Sequence, residues 1–129
     1  MNGLIFATIY AVLIVIVYFP QTTTVRLETL TPQASQILDF NKGGLIFNYD
    51  LLGYGFMALS TFFTGLTKED KTKSDKILKW LMLIHGIFFI VCFIMPMTGI
   101  LAQTADCDSS KGGVIVLECW CAYFFAMLI

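Results

Sequence analysis

Charge is scarce in this sequence. Only 13% of its 129 residues are Asp, Glu, Lys or Arg, and 57% are apolar. An ordinary soluble domain is about a quarter charged and about 45–50% apolar. Basic excess is missing too: eight Lys and Arg stand against nine Asp and Glu, for a net charge of −1. Recruitment of nucleic acid by charge is thereby excluded, and the apolar excess excludes a disordered chain and most soluble enzymes. A lone histidine, His85, rules out bis-histidine haem ligation within one chain. The four cysteines form no Cys-x-x-Cys, which argues against a four-helix thiol oxidoreductase. Gly-x-x-x-x-Gly-Lys, Gly-x-Ser-x-Gly and His-Glu-x-x-His are also absent, so an NTPase or a membrane protease lacks its usual marks. No repeat recurs at a fixed period.

What is present is apolar residue in blocks. Leu4 to Phe19 carries no charge and ends at Pro20. Leu45 to Leu66 is interrupted only by Asn48 and Asp50 among strongly polar residues. Ile77 to Leu101 contains Lys79 and His85, and Val114 to Ile129 contains Glu118. About 20 mostly apolar residues cross roughly 30 Å of hydrocarbon as a helix. The blocks therefore predict an all-α, four-helix transmembrane bundle forming one domain, with spans at about 2–19, 44–66, 77–101 and 113–129. The first block has no Lys or Arg before it and no small-x-small site after it, so a retained span is expected rather than a cleaved signal peptide. The last block is short and has no interfacial tail. A longer natural chain, continuing past Ile129, is expected on that ground.

The connections predict orientation. Lys68, Lys71, Lys73, Lys76 and Lys79 crowd the stretch between the second and third blocks, while the other two loops hold only Arg26, Lys42 and Lys111. The positive-inside rule counts Lys and Arg, so the Lys68–Lys79 loop and both termini are expected in the cytoplasm of a multi-pass cell-membrane protein. In the first outer loop, Thr31-Pro32 reads as a helix N-cap followed by proline at the first helical position. Ala34, Ile37 and Leu38 then share one face, and Asn41 with Gly43-Gly44 ends the turn. A short helix lying in the outer interface is expected there.

Ionisable groups at membrane depth are costly unless paired, hydrated or neutralised, and they mark candidate sites. Asp50 and Glu118 are each expected about one and a half turns in from the outer side, with His85 deeper and toward the cytoplasm. Asp50, Tyr54, Ala58, Thr61 and Gly65 step by three or four into one polar, small-residue stripe. His85, Cys92 and Gly99 share a face of the third span, where Pro96 removes the hydrogen bond to the Cys92 carbonyl and predicts a kink or hydrated gap. Glu118, Ala122 and Phe125 share a face of the fourth. Three spans thus turn polar stripes toward one expected interior. Two carboxyls in one low-dielectric layer cannot both stay ionised cheaply, which suits proton-coupled handling of an ion or small molecule. The competing expectation is structural: Asp50 and Glu118 bond to Asn48, Tyr49, Tyr54 or backbone and fix the bundle. For His85 alone, a buried hydrogen-bonded role outweighs catalysis or metal binding.

Soft ligands give little. Cys119 and Cys121 stand about 200° apart on a helix, and Met95 and Met97 read as packing residues rather than copper(I) ligands. No metal or cofactor is expected. Cys107, flanked by Asp106 and Asp108, leaves open a disulfide to the top of the fourth span. The segment Tyr49-Asp-Leu-Leu-Gly-Tyr-Gly-Phe-Met-Ala-Leu-Ser-Thr-Phe-Phe63, with Leu83-Ile-His-Gly86, resembles uncharacterised multispanning membrane proteins of bacteria. That resemblance covers two of the four expected spans. It implies a protein with further spans, and it supplies no activity, substrate or site residue. Two functions remain: a proton-coupled membrane protein centred on Asp50 and Glu118, with His85 as relay and Tyr54 and Asn48 beside it, or a non-catalytic structural or partner-binding subunit. An enzyme is the less favoured class. The expected partners are the lipid bilayer and either a second copy or another membrane subunit, with no nucleic acid.

Overall fold

The computed structural model describes residues 1–98 and 109–128, with side chains in the last helix described for residues 118–127. Every regular element among them is helical. Helix α1 spans Asn2–Thr23, α2 Pro32–Leu38, α3 Leu45–Thr67, α4 Lys73–His85, α5 Ile87–Met97 and α6 Ser109–Leu128. Short 3-10 turns at Val25–Leu27 and Phe40–Lys42 flank α2. Two rods are long and apolar enough to cross a membrane: α1 with its following turn, and α4 with α5. Helix α3 is long enough but is diluted by Asn48, Asp50 and its glycines. The ends of the expected third and fourth spans, with Gly99 and Cys107, lie outside the described residues.

Helix α3 is central. It packs against α1, α4 and α5 and touches α2. Antiparallel pairing with α1 is shown by Ser60 near one end, whose hydroxyl donates to the Gly3 carbonyl at 2.7 Å. At mid-length Gly53 lies against Leu13 and Ile14. The second face of α3 depends on glycine. A Cβ at Gly65 would stand 2.8 Å from the Met82 Cβ and 3.4 Å from the Lys79 carbonyl oxygen, so only a residue without one lets α4 approach so closely.

Local sequence explains the helix ends. Thr31 caps α2 by accepting from the Ala34 amide at 3.3 Å, and Gly43 follows with φ of 64°, a conformation that glycine adopts without steric cost. Gln21, at the end of α1, holds this loop: its side chain donates to the Leu38 carbonyl and accepts from the Phe40 amide. Proline at position 20 does not end α1, contrary to the block boundary. The helix runs on to Thr23, where the Thr22 and Thr23 hydroxyls donate back to the Tyr18 and Phe19 carbonyls. Helix α4 begins at Lys73, ahead of its apolar block, because Thr72 and Asp75 form a reciprocal capping box.

One interruption falls inside an expected span, at a glycine. The rod of α4 and α5 breaks its regular bonding at Gly86, whose amide bonds Leu83 at 3.1 Å, while the Phe89 amide returns to the Gly86 carbonyl at 3.2 Å. These are tighter i to i+3 bonds. Across the interface α3 packs closely at this point: a Cβ at Gly86 would meet the Phe62 ring at 2.6 Å, so a side chain there would have to displace it.

The apolar side chains point mostly outward. Leu4, Val15 and Phe19 on α1 are 74%, 64% and 64% exposed, and Val17 alone on that helix is buried. On the α4–α5 rod, Ile77, Trp80, Ile84, Ile87, Val91 and Ile94 fall within a narrow arc and are all exposed. The buried positions of α3 and the rod are mostly small or polar instead, namely Asp50, Gly53, Gly55, Ala58, Gly65, His85 and Cys92, with Ile46 the apolar exception.

Two predictions follow from this packing. Gly65→Ala should cost about 1–3 kcal/mol through overpacking against Met82, measured by unfolding in detergent micelles. The second concerns Thr72–Asp75. The hydrogen bond from Thr72, then that from Lys68, holds the Asp75 carboxyl below the usual carboxylate range. A native value so depressed adds stability above the unfolded carboxylate value, about 3.9, and that stability is lost as pH falls through the lower native value. Amide protection in the first turn of α4 should therefore hold from neutral pH down to about 4 and fall below it. Asp75→Asn should flatten this acid limb.

Candidate functional site

The inward stripe of α3 carries the site. Asp50 is 5% exposed and Ala58 is fully buried, with Tyr54 and Thr61 half-buried on the same face. From Asp50 to Thr61 the stripe rises about 16 Å. Tyr54 touches two neighbouring helices, with ring centroids 6.1 Å from Tyr10 of α1 and 5.0 Å from Trp120 of α6. Asn48 lies half-buried in the first turn of α3, and its side chain makes no hydrogen bond to the described residues. Tyr10, Tyr54 and Cys92 are within electrostatic reach of the Asp50 carboxylate.

At the other end of the stripe stands His85, with no exposed surface. Its Nδ1 is 2.6 Å from the Thr61 hydroxyl. That hydroxyl also lies 2.9 Å from the Ala58 carbonyl oxygen, but it has one proton to give. If the proton goes to Ala58, the imidazole donates from Nδ1 and its Nε2 is a bare acceptor. If it goes to Nδ1, the Nε2 carries the hydrogen. The two arrangements differ by a tautomer and one hydroxyl rotation. Aromatic rings wall the imidazole: Tyr123 stacks at 5.4 Å, while Trp120 and Phe124 meet it edge-on at 5.3 and 4.9 Å. The Tyr123 hydroxyl donates to the Leu81 carbonyl and fixes α6 against α4.

Three buried polar atoms have no hydrogen-bond partner among the described residues: Asp50 Oδ1, His85 Nε2 and Trp120 Nε1. Most buried polar atoms in folded proteins are paired, so each orphan calls for an explanation. All three residues belong to one row. Asp50 is one turn from Tyr54, Tyr54 touches Trp120, and Trp120 touches His85.

Glu118 does not join this row. It is exposed on α6, with Ala122 and Phe125 on the same outward face. The expected common interior for the two carboxyls is therefore corrected, and helical register supplies the reason. Trp120 is 5% exposed and takes the inward side, and Glu118, two residues earlier, is about 200° away. Burial of the large indole decides which face of α6 turns in. Trp120 itself escaped the sequence reading, although a tryptophan inside an apolar block, with an N–H to satisfy, was a signal. Cys92, Cys119 and Cys121 are free thiols, and no His, Cys, Asp and Glu cluster able to hold a metal occurs among the described residues.

Comparison with protein-family models, curated proteins and solved structures gave no match. The chemistry of the row stands on its geometry alone.

Thr61→Val should cost about 1–3 kcal/mol, because it leaves His85 Nδ1 buried without a partner. In a His85→Phe background the same change should cost clearly less, since no imidazole is then orphaned. Unfolding of the four proteins in micelles measures the coupling.

Proposed function

We propose that this chain is a multi-pass integral membrane protein that moves protons together with an ion or small molecule along its interior polar row. In this reading α1, α3, the α4–α5 rod and α6 are the four spans, and α2 lies in the outer interface. Both termini and the Lys68–Lys79 loop face the cytoplasm, and the architecture is akin to that of multispanning bacterial membrane proteins. The coat of outward Leu, Ile, Val and Phe supports a lipid surround, because a water-facing surface would not carry so continuous an apolar cover.

The observation that carries the transport reading is the set of three polar atoms without a hydrogen-bond partner among the described residues, Asp50 Oδ1, Trp120 Nε1 and His85 Nε2, in one buried row. Buried polar atoms without a partner among the described residues fit a path that water, a proton or a ligand occupies in the working cycle. Asp50 is the proton-binding carboxyl, with Tyr54 and Asn48 as neighbouring polar groups. His85 takes up and releases the proton at Nε2, while its Nδ1–H donates to the Thr61 hydroxyl, which donates on to the Ala58 carbonyl, and Trp120 supplies a fixed donor between the two ends.

Reconstitution in liposomes with an internal pH-sensitive dye tests this reading. Asp50→Asn should abolish flux driven by a pH gradient while the protein still folds, and His85→Gln should slow it at least tenfold. Unchanged flux in Asp50→Asn would remove the carboxyl from the path. A second reading, a non-catalytic subunit, draws on Glu118 alone. A carboxyl exposed at membrane depth favours a partner helix or a second copy against α6. On that reading Glu118→Gln changes the oligomeric state and leaves proton flux as it was.

A further inference from the structure

Beyond the polar row, the Lys-rich loop divides its charges unequally. Three of its five lysines are committed to carboxylates. Lys68 pairs with Asp75 at 2.9 Å, Lys71 with Glu69 at 2.8 Å and Lys79 with Asp70 at 2.8 Å. Lys73 and Lys76 form no ion pair among the described residues, and both are exposed. Asp70 feels the charge of Lys76 only at longer range.

The register of α4 gives these two lysines a common setting. At 100° per residue, Lys73, Lys76, Ile77, Trp80 and Ile84 fall within about 100° of one another. Ile77 is 64% exposed and Trp80 62%. One exposed face therefore runs from two unpaired ammonium groups, through an indole, to a bare aliphatic ridge. Apolar chain contact below, an aromatic ring at the boundary and cationic groups above match the profile of one molecule: a phospholipid with a net negative headgroup.

We infer that Lys73 and Lys76, with Trp80 beneath them, form a binding site for the headgroup phosphate of an anionic phospholipid whose acyl chains lie along Ile77 and Ile84. The three ion pairs have a part in this selectivity. They neutralise Lys68, Lys71 and Lys79 within the loop and leave the free charge on the lipid-facing side. Glu69 and Asp70 are occupied by the same pairs and do not compete for Lys73. The site rests on the membrane-spanning reading but not on proton transport, since none of its residues belongs to the Asp50–His85 row.

Trp80 is a built-in reporter. The protein would be reconstituted in vesicles of brominated phosphatidylglycerol or brominated phosphatidylcholine, mixed with their unbrominated partners, and quenching of tryptophan fluorescence followed. Trp120 is buried, and a Trp80→Phe sample identifies the Trp80 signal. The unsubstituted protein should prefer the anionic lipid at Trp80. Each lysine removed should lower the preference by roughly fivefold, so that K73Q/K76Q approaches no preference, whereas K71Q keeps it. Equal quenching by both lipids in the unsubstituted protein overturns the site, as does a preference that survives in K73Q/K76Q or disappears equally in K71Q. Each of those results leaves the membrane reading standing. Absence of Trp80 quenching by either lipid overturns the site and the membrane reading together.

Discussion

The hydrogen bond between Thr61 and His85 is the contact on which the interior depends. It joins the central helix to the α4–α5 rod at a point where the imidazole has no exposed surface. Without it, a polar ring would sit among Phe88, Trp120, Tyr123 and Phe124 with neither nitrogen satisfied. Glycines on either side bring the rod close enough for the bond to form. Gly65 admits Met82 one turn along α3, and Gly86 admits Phe62 beside the imidazole. Close backbone approach and the polar bond are thus one arrangement, because small residues set the separation that the hydrogen bond requires.

This interior reverses the pattern of a water-soluble bundle. Its inward positions hold Asp50, the small residues Gly53, Gly55 and Ala58, and His85 beside Val17, Ile46 and Trp120, while most of the Leu, Ile, Val and Phe coat the outside. In the membrane surround proposed above, packing and polar pairing between helices supply the specificity that hydrophobic burial supplies in water. The two long apolar rods and the polar stripe of α3 are then complementary parts. The rods meet the surround, and α3, less apolar and richer in glycine, organises what lies between them.

Much of the framework was legible in the residues. Helical spacing found the Asp50–Tyr54–Ala58–Thr61–Gly65 stripe, and Thr31-Pro32 announced the short helix between α1 and α3. These are local signals, set by periodicity and capping within a few residues. What escaped detection depended on other helices. Glu118 was expected inside because a charge in an apolar block invites that reading, yet Trp120 controls the register of α6 and turns Glu118 out. The close packing of the Phe62 ring of α3 on Gly86 is a contact between helices, which no pattern within α4 or α5 encodes. Thr61 was seen as a member of a stripe, but its partner lies 24 positions away in sequence.

The wall around His85 has an implication for biosynthesis. Thr61 and His85 belong to helices made early, whereas Trp120, Tyr123 and Phe124 all come from α6, the last described helix to leave the ribosome. Until α6 docks, the imidazole is held by α3 on one side and lacks these three rings on the other. Completion of the polar row is therefore a late event in the life of the nascent chain. On the proposed membrane reading, the interval between insertion of the α4–α5 rod and arrival of α6 is when these polar groups stand least covered.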